Sequence, residues 1–120
     1  MIGQFTESLK RNSVEILDDT EEEIKKTENV HISEALSAAA DTGIIFLGGF
    51  DEARKSGLAE HHIVIVRKNA ICETTIEAYR LAISKSDYVF ASTSASKTAD
   101  IEGKLIWGMH GPRKFSVVIK

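Results

Sequence analysis

The chain carries short apolar runs, several of them apolar on successive rather than alternate residues. Val14–Leu17, Ile44–Leu47, Ile63–Val66, Tyr88–Ala91 and Phe115–Ile119 are each four or five residues long and rich in Val, Ile and Phe. A strand with one wet face must alternate, whereas a strand covered on both faces need not. These runs therefore predict strands buried on both sides. Between and around them, helices are expected at Gln4–Lys10, Glu21–Thr27, Ser33–Asp41, Glu73–Ser84 and Ala99–Trp107. In the fourth, Ile76, Tyr79 and Ile83 recur at spacings of three and four, so that helix should dock on a sheet through them. Strands alternating with helices predict an α/β fold with a largely parallel sheet. Ligands of such sheets bind beyond the carboxyl ends of the strands, which directs the functional search to the segments that follow them.

Composition narrows the classes further. At 120 residues and 42% hydrophobic residues, the chain suits one domain that buries about two-thirds of its unfolded surface. The formal net charge of −3 argues against nucleic-acid binding by bulk positive charge. Residues 1–30 hold 8 acids and 4 bases, and Glu21 and Glu22 stand four residues before Lys25 and Lys26. That order supports an exposed helix, so the acidic segment reads as solvated and helical. The one cysteine, Cys72, can form neither an intramolecular disulfide nor an iron–sulfur cluster. No metal site is expected. The N-terminus lacks the apolar core of a signal peptide, and the longest uncharged apolar stretch, Gly43–Phe50, is too short to span a membrane. A soluble cytoplasmic protein is expected.

Two clusters could carry chemistry. The first follows the 88–91 strand and reads Ser92-Thr93-Ser94-Ala95-Ser96-Lys97-Thr98-Ala99-Asp100-Ile101-Glu102-Gly103, with five hydroxyls in seven residues and one lysine among them. With a helix starting next, hydroxyls and free amides would form an anion site at its N-terminus. The same residues also serve as ordinary loop and capping residues. Asp100 and Glu102 could act as acid, base or nucleophile, or could complement a helix dipole. The second cluster is Gly108-Met109-His110-Gly111-Pro112-Arg113. Arginine offers a planar fork to carboxylate or phosphate, and histidine moves a proton near neutral pH. The alternative is a tight surface turn before the last strand. His61 and His62, adjacent on extended chain, face opposite ways and make a poor chelating pair, so a hydrogen-bonded structural role is expected for them. His31 is isolated in the sequence.

Thr98-Ala99-Asp100-Ile101-Glu102-Gly103 followed by Gly108-Met109-His110-Gly111-Pro112-Arg113 resembles the signature of the LUD-domain family, of the lactate-utilisation protein C type. Thr42-Gly43-Ile44-Ile45, His62-Ile63-Val64-Ile65-Val66 and Phe115-Ser116-Val117-Val118-Ile119 fit the same pattern. The resemblance covers residues 36–120 of a single 1–120 domain. Residues 1–30 carry no matching motif, and Ser94-Ala95-Ser96 replaces a Gly-Pro-Ser-type turn. The resemblance implies a three-layer α/β/α fold like that of phosphosugar isomerases and CoA transferases. It also implies a clusterless accessory subunit in oxidation of L-lactate to pyruvate. Iron–sulfur or flavin centres would then come only from partner proteins. A small carboxylate or phosphate would bind Ser94, Ser96, Lys97, Thr98, Asp100, His110, Gly111 and Arg113. The N-terminal half is short against the family pattern, so a second subunit would supply a pocket wall, and a homodimer is expected.

Two other readings stay open. A free-standing transferase- or isomerase-like enzyme would act on a CoA ester, phosphosugar or folate, with Glu102 as base or nucleophile and His110 as acid or base. A degenerate member would act through protein contacts alone, and substitutions at His110 and Arg113 would then be silent.

Overall fold

The structure, a computed structural model, describes residues 1–18, 29–49, 55, 60–94, 97–100 and 114–120, with backbone alone for 94 and 97–100. Helix α1 (Ile2–Arg11) buries Phe5, Ser8 and Leu9, one turn apart on one face. It closes on Ser13 at φ +60°, where the Ser13 N–H donates to Lys10 O and the Val14 N–H to Leu9 O. This left-handed cap satisfies two carbonyls and turns Val14 back into the core beside Leu9. The segment is thus helical as expected, but docked rather than wholly solvated. The expected helix Glu21–Thr27 lies outside the described residues.

Nine strands follow among the described residues: β1 (Glu15–Leu17), β2 (Val30–Glu34), β3 (Ser37–Ala39), β4 (Ile45–Gly48), β5 (His61–Val66), β6 (Ile71–Cys72), β7 (Val89–Ser94), β8 (Lys97–Asp100) and β9 (Lys114–Ile119). A 3-10 turn, Lys68–Ala70, leads into β6, and helix α2 (Thr75–Lys85) joins β6 to β7. Among them are all five runs read as strands. The first sheet, β1-β9-β5-β2, is entirely parallel. The second, β6-β3-β4-β7-β8, is mainly antiparallel, with β3 and β6 the parallel pair. The chain is an α/β fold whose parallel sheet is joined by this second sheet.

The sheets share one core. Val64, Val66, Phe115 and Val117 of the first meet Ala38, Ile45, Leu47 and Phe90 of the second, with Phe5 and Leu9 of α1. The opposite face of the parallel sheet, bearing His61, Ile63, Ser116 and Val118, is buried as well. That explains why these strands lack alternation. The outer face of the second sheet packs Ala39, Phe46 and Val89 against Ala78 and Ala82 of α2.

Two expectations fail here. Ser33–Asp41 is not a helix: β2 runs to Glu34, Ala35 and Leu36 carry the chain into the other sheet, and β3 covers 37–39. The Ala35 N–H donates to Ile65 O and the Leu36 N–H to Phe46 O, so one strand path changes sheets without losing its hydrogen bonds. Helix propensity favours Ala and Leu only weakly, and burial overrides it. Ala38 and Ala39 are both fully buried on opposite faces, where small side chains let core and helix approach. Nor does α2 dock mainly through Ile76, Tyr79 and Ile83: Ile76 and Ile83 are exposed, Tyr79 reaches Phe46 of β4 only from the rim of the contact, and Ala78 and Ala82 face the sheet instead.

The turn after β3 ties three elements together. Ser8 Oγ donates to Ala40 O at 2.7 Å, Arg11 donates to Ser8 Oγ and Asp41 O, and Asn12 Nδ2 donates to Thr42 O. Thr75 Oγ1 donates to the Asp41 carboxylate at 2.9 Å, and Thr74 Oγ1 caps α2 by accepting from the Glu77 N–H. Gly43 sits at φ +77°, where a Cβ would lie 2.7 Å from Asn12 Nδ2. Gly43→Ala should therefore cost roughly 1–3 kcal/mol from backbone strain and the displaced amide. Urea unfolding measures it; an unchanged midpoint would mean the turn relaxes freely.

Candidate functional site

The hydroxyl-rich segment folds as a hairpin. Val89, Phe90 and Ala91 alternate between the α2 side and the inter-sheet core, and Ser92, on the Phe90 side, is buried. After Ser94 the chain returns as β8. Phe90 pairs with Asp100, Ala91 with Ala99, Ser92 with Thr98, and Ser94 with Lys97. The register shifts between Ser92 and Ser94, an irregularity of the kind that re-aims side chains beside functional sites.

This corrects the expected start of a helix at Ala99. Residues 97–100 are strand, so Lys97, Thr98 and Asp100 do not themselves form a helix N-terminus. The physical reason is the exposed edge of β7, whose backbone groups pair with a polar strand as well as with an apolar one. The hairpin still brings the lysine and the hydroxyl residues together, since Lys97 and Thr98 lie opposite Ser94 and Ser92. Ser96, Glu102, His110, Gly111 and Arg113 lie outside the described residues, as does 101–107 of the expected helix. Arg113 directly precedes β9, which runs between β1 and β5 in the parallel sheet.

A second polar group lies in the parallel sheet. His61 and His62 point to opposite faces of β5, as extended chain requires. His61 Nε2 and Ser116 Oγ of β9 are hydrogen-bonded at 2.8 Å, and His62 Nε2 and Ser33 Oγ of β2 at 2.6 Å. The pairing of β2 with β5 sets His31 beside His62, and their rings stack with centroids 5.5 Å apart. Phe115 meets His62 edge-on from the other side. Burial, reinforced by the neighbouring His31 and His61, pushes His62 down to about 3. His62 is thus neutral at physiological pH and strapped to a buried serine. It serves as a structural crosslink between strands rather than a proton shuttle. The role of His31 has no signal in one sequence, because a strand register 31 residues apart creates it.

Among the described residues, no three His, Cys, Asp or Glu side chains are grouped to hold a metal ion. Burial pushes the Cys72 thiol up, the Glu77 carboxylate adding to the effect, which leaves it a poor nucleophile. No helix among the described residues is long and apolar enough to cross a membrane. The hairpin, with the sequence that follows it, is the better candidate site.

Comparison with known proteins agrees with this architecture. A crystal structure of a DUF162 family protein from Deinococcus radiodurans superposes with a TM-score of 0.67 at 15% identity, covering 98% of this chain and 94% of that one. Lactate utilization protein C of the same organism is 31% identical over 88 residues, covering 68% of this chain. The alignment takes in 42% of that protein, so this chain spans less than half the length of its curated relative. The family model described as the LUD domain matches residues 2–119, helix α1 and both sheets included. The chain belongs to the LUD domain family.

Proposed function

We propose that this chain acts in lactate utilisation as a clusterless subunit that holds a small anion, lactate or pyruvate, through its carboxylate. The observation that carries the reading is the 31% identity to a protein named Lactate utilization protein C. The chain's chemistry supports it. Lys97 and Thr98 stand opposite Ser94 and Ser92 at the turn end of the β7–β8 hairpin. Arg113 supplies a fork suited to a carboxylate, and His110 a donor for the adjacent hydroxyl or keto oxygen. Ser96, Asp100 and Gly111 complete the proposed binding set. Taking lactate to pyruvate removes two electrons and two protons. One cysteine cannot hold a cluster, so an iron–sulfur or flavin partner would take the electrons.

The test is a thermal-shift series on the wild type and on Arg113→Ala, with lactate, pyruvate, phosphate, sugar phosphates, CoA and folates. A ligand at 100 times its Kd adds about 2.7 kcal/mol, which moves the Tm of a domain this size by roughly 10 °C. Lactate or pyruvate should shift the wild type and leave Arg113→Ala unmoved. A shift with CoA, sugar phosphate or folate alone would overturn the proposal in favour of a free-standing enzyme. Equal shifts in both proteins would remove Arg113 from the site.

A further inference from the structure

We propose that the outward face of α2 is a self-association surface, and that its occupant is the α2 of a second copy of this chain, packed antiparallel. Ile76 is 64% exposed, Tyr79 38% and Ile83 46%, on a helix whose inner face needs only Ala78 and Ala82. The three large side chains lie three and four residues apart and form one continuous stripe. Helix packing uses such a stripe, and an isolated surface helix does not require it. Tyr79 also leans on Phe46 of β4, with ring centroids 6.2 Å apart, which anchors the stripe to the sheet.

The charges select the partner. Acids stand at the start of the segment, Glu73 and Glu77, and bases toward its end, Arg80 and Lys85; all four are exposed. An antiparallel second copy sets the acidic end of each helix against the basic end of the other, and opposes the two helix dipoles. With the two-fold axis between Tyr79 and Arg80, Ile76 meets Ile83 of the partner subunit. Arg80 then comes within reach of Glu77 of the partner subunit. A parallel arrangement would stack acid on acid. The stripe is narrow compared with a standard stable interface of about 800 Å² per partner, so the dimer is reversible and concentration-dependent. This inference rests on α2 alone and stands whether or not lactate is the ligand.

Sedimentation velocity across a concentration series, under reducing conditions because Cys72 is a free thiol, tests it. The wild type should pass from monomer to dimer as concentration rises. Ile76→Glu and Ile83→Glu should each weaken association by about tenfold or more, the cost of setting one carboxylate in an apolar contact. Both residues are exposed in the monomer, so each variant should keep the wild-type circular dichroism. Arg80→Glu should weaken the dimer, and the double reversal Glu77→Arg with Arg80→Glu should restore it. A wild type that stays monomeric at every concentration overturns the proposal. So does a dimer indifferent to both stripe variants, and failure of the double reversal overturns the antiparallel arrangement.

Discussion

Phe90→Ala should cost about 3–5 kcal/mol, a large part of the 5–15 kcal/mol that holds a domain of this kind together. Phe90 is fully buried between the two sheets, opposite Leu47 on β4, in the cluster that includes Ile45, Val64, Val66, Phe115 and Val117. Backbone on both sides of it is fixed by strand pairing, to β4 on one side and β8 on the other, so the cavity cannot close by moving β7 alone. The transfer loss and the cavity loss therefore add. Equilibrium urea unfolding should show a lower midpoint with an unchanged slope. Ile83→Ala, on the exposed face of α2, is the matched control and should cost well under 1 kcal/mol in dilute solution. Equal effects at the two positions would mean that the sheets do not share a packed core. The same cavity should reach the candidate site, because β7 ends at Ser94 and is the strand on which β8 is built. Ligand shifts at the hairpin should weaken in Phe90→Ala beyond the loss of stability.

The strands were legible because burial on both faces leaves a local mark. Ile63–Val66 is apolar at every position, and Phe115–Ile119 at every position but Ser116, whose buried hydroxyl is held by His61. The helix Thr75–Lys85 was legible for a different reason, since Ile76, Tyr79 and Ile83 recur at spacings of three and four. Its orientation was not. Periodicity identifies a stripe of large apolar residues, but here the fully buried positions of that helix are Ala78 and Ala82, and of the larger residues only Tyr79 touches the sheet, through Phe46. Ser33–Asp41 was misread because a run of small residues satisfies helix propensity and close layer packing equally well. Which of the two applies depends on β5 and α2, far along the chain. At the candidate site, the residue types were legible and the local structure was not. Ser92 to Asp100 reads as a capped helix start only if nothing pairs with the chain. The edge of β7, a tertiary feature, provides the pairing.

Acid should unfold the protein through His62, and His62→Gln should blunt that response. In the fold His62 is neutral, held down to about 3 by burial and by the histidines on either side. In the unfolded chain it titrates at its ordinary value of 6.5. Between those two values the unfolded chain binds a proton that the folded chain refuses, so stability is full above about pH 6.5 and falls with pH below it. Each pH unit in that window costs up to about 1.4 kcal/mol, and the loss reaches roughly 3 kcal/mol by pH 4. Carboxylates act in a lower range and do not account for a loss that begins near pH 6. Gln cannot titrate, yet it can still hydrogen-bond Ser33 Oγ, so His62→Gln tests the charge without abandoning the buried serine. Urea unfolding at half-unit steps from pH 7.5 to 4 should give a steep wild-type slope between pH 6 and 4 and a shallower one for the variant. Parallel slopes would show that His62 takes up its proton inside the fold, which its burial and the stacked His31 ring oppose. The buried pair would then be a tolerant surface rather than the strap that joins edge strand β2 to β5.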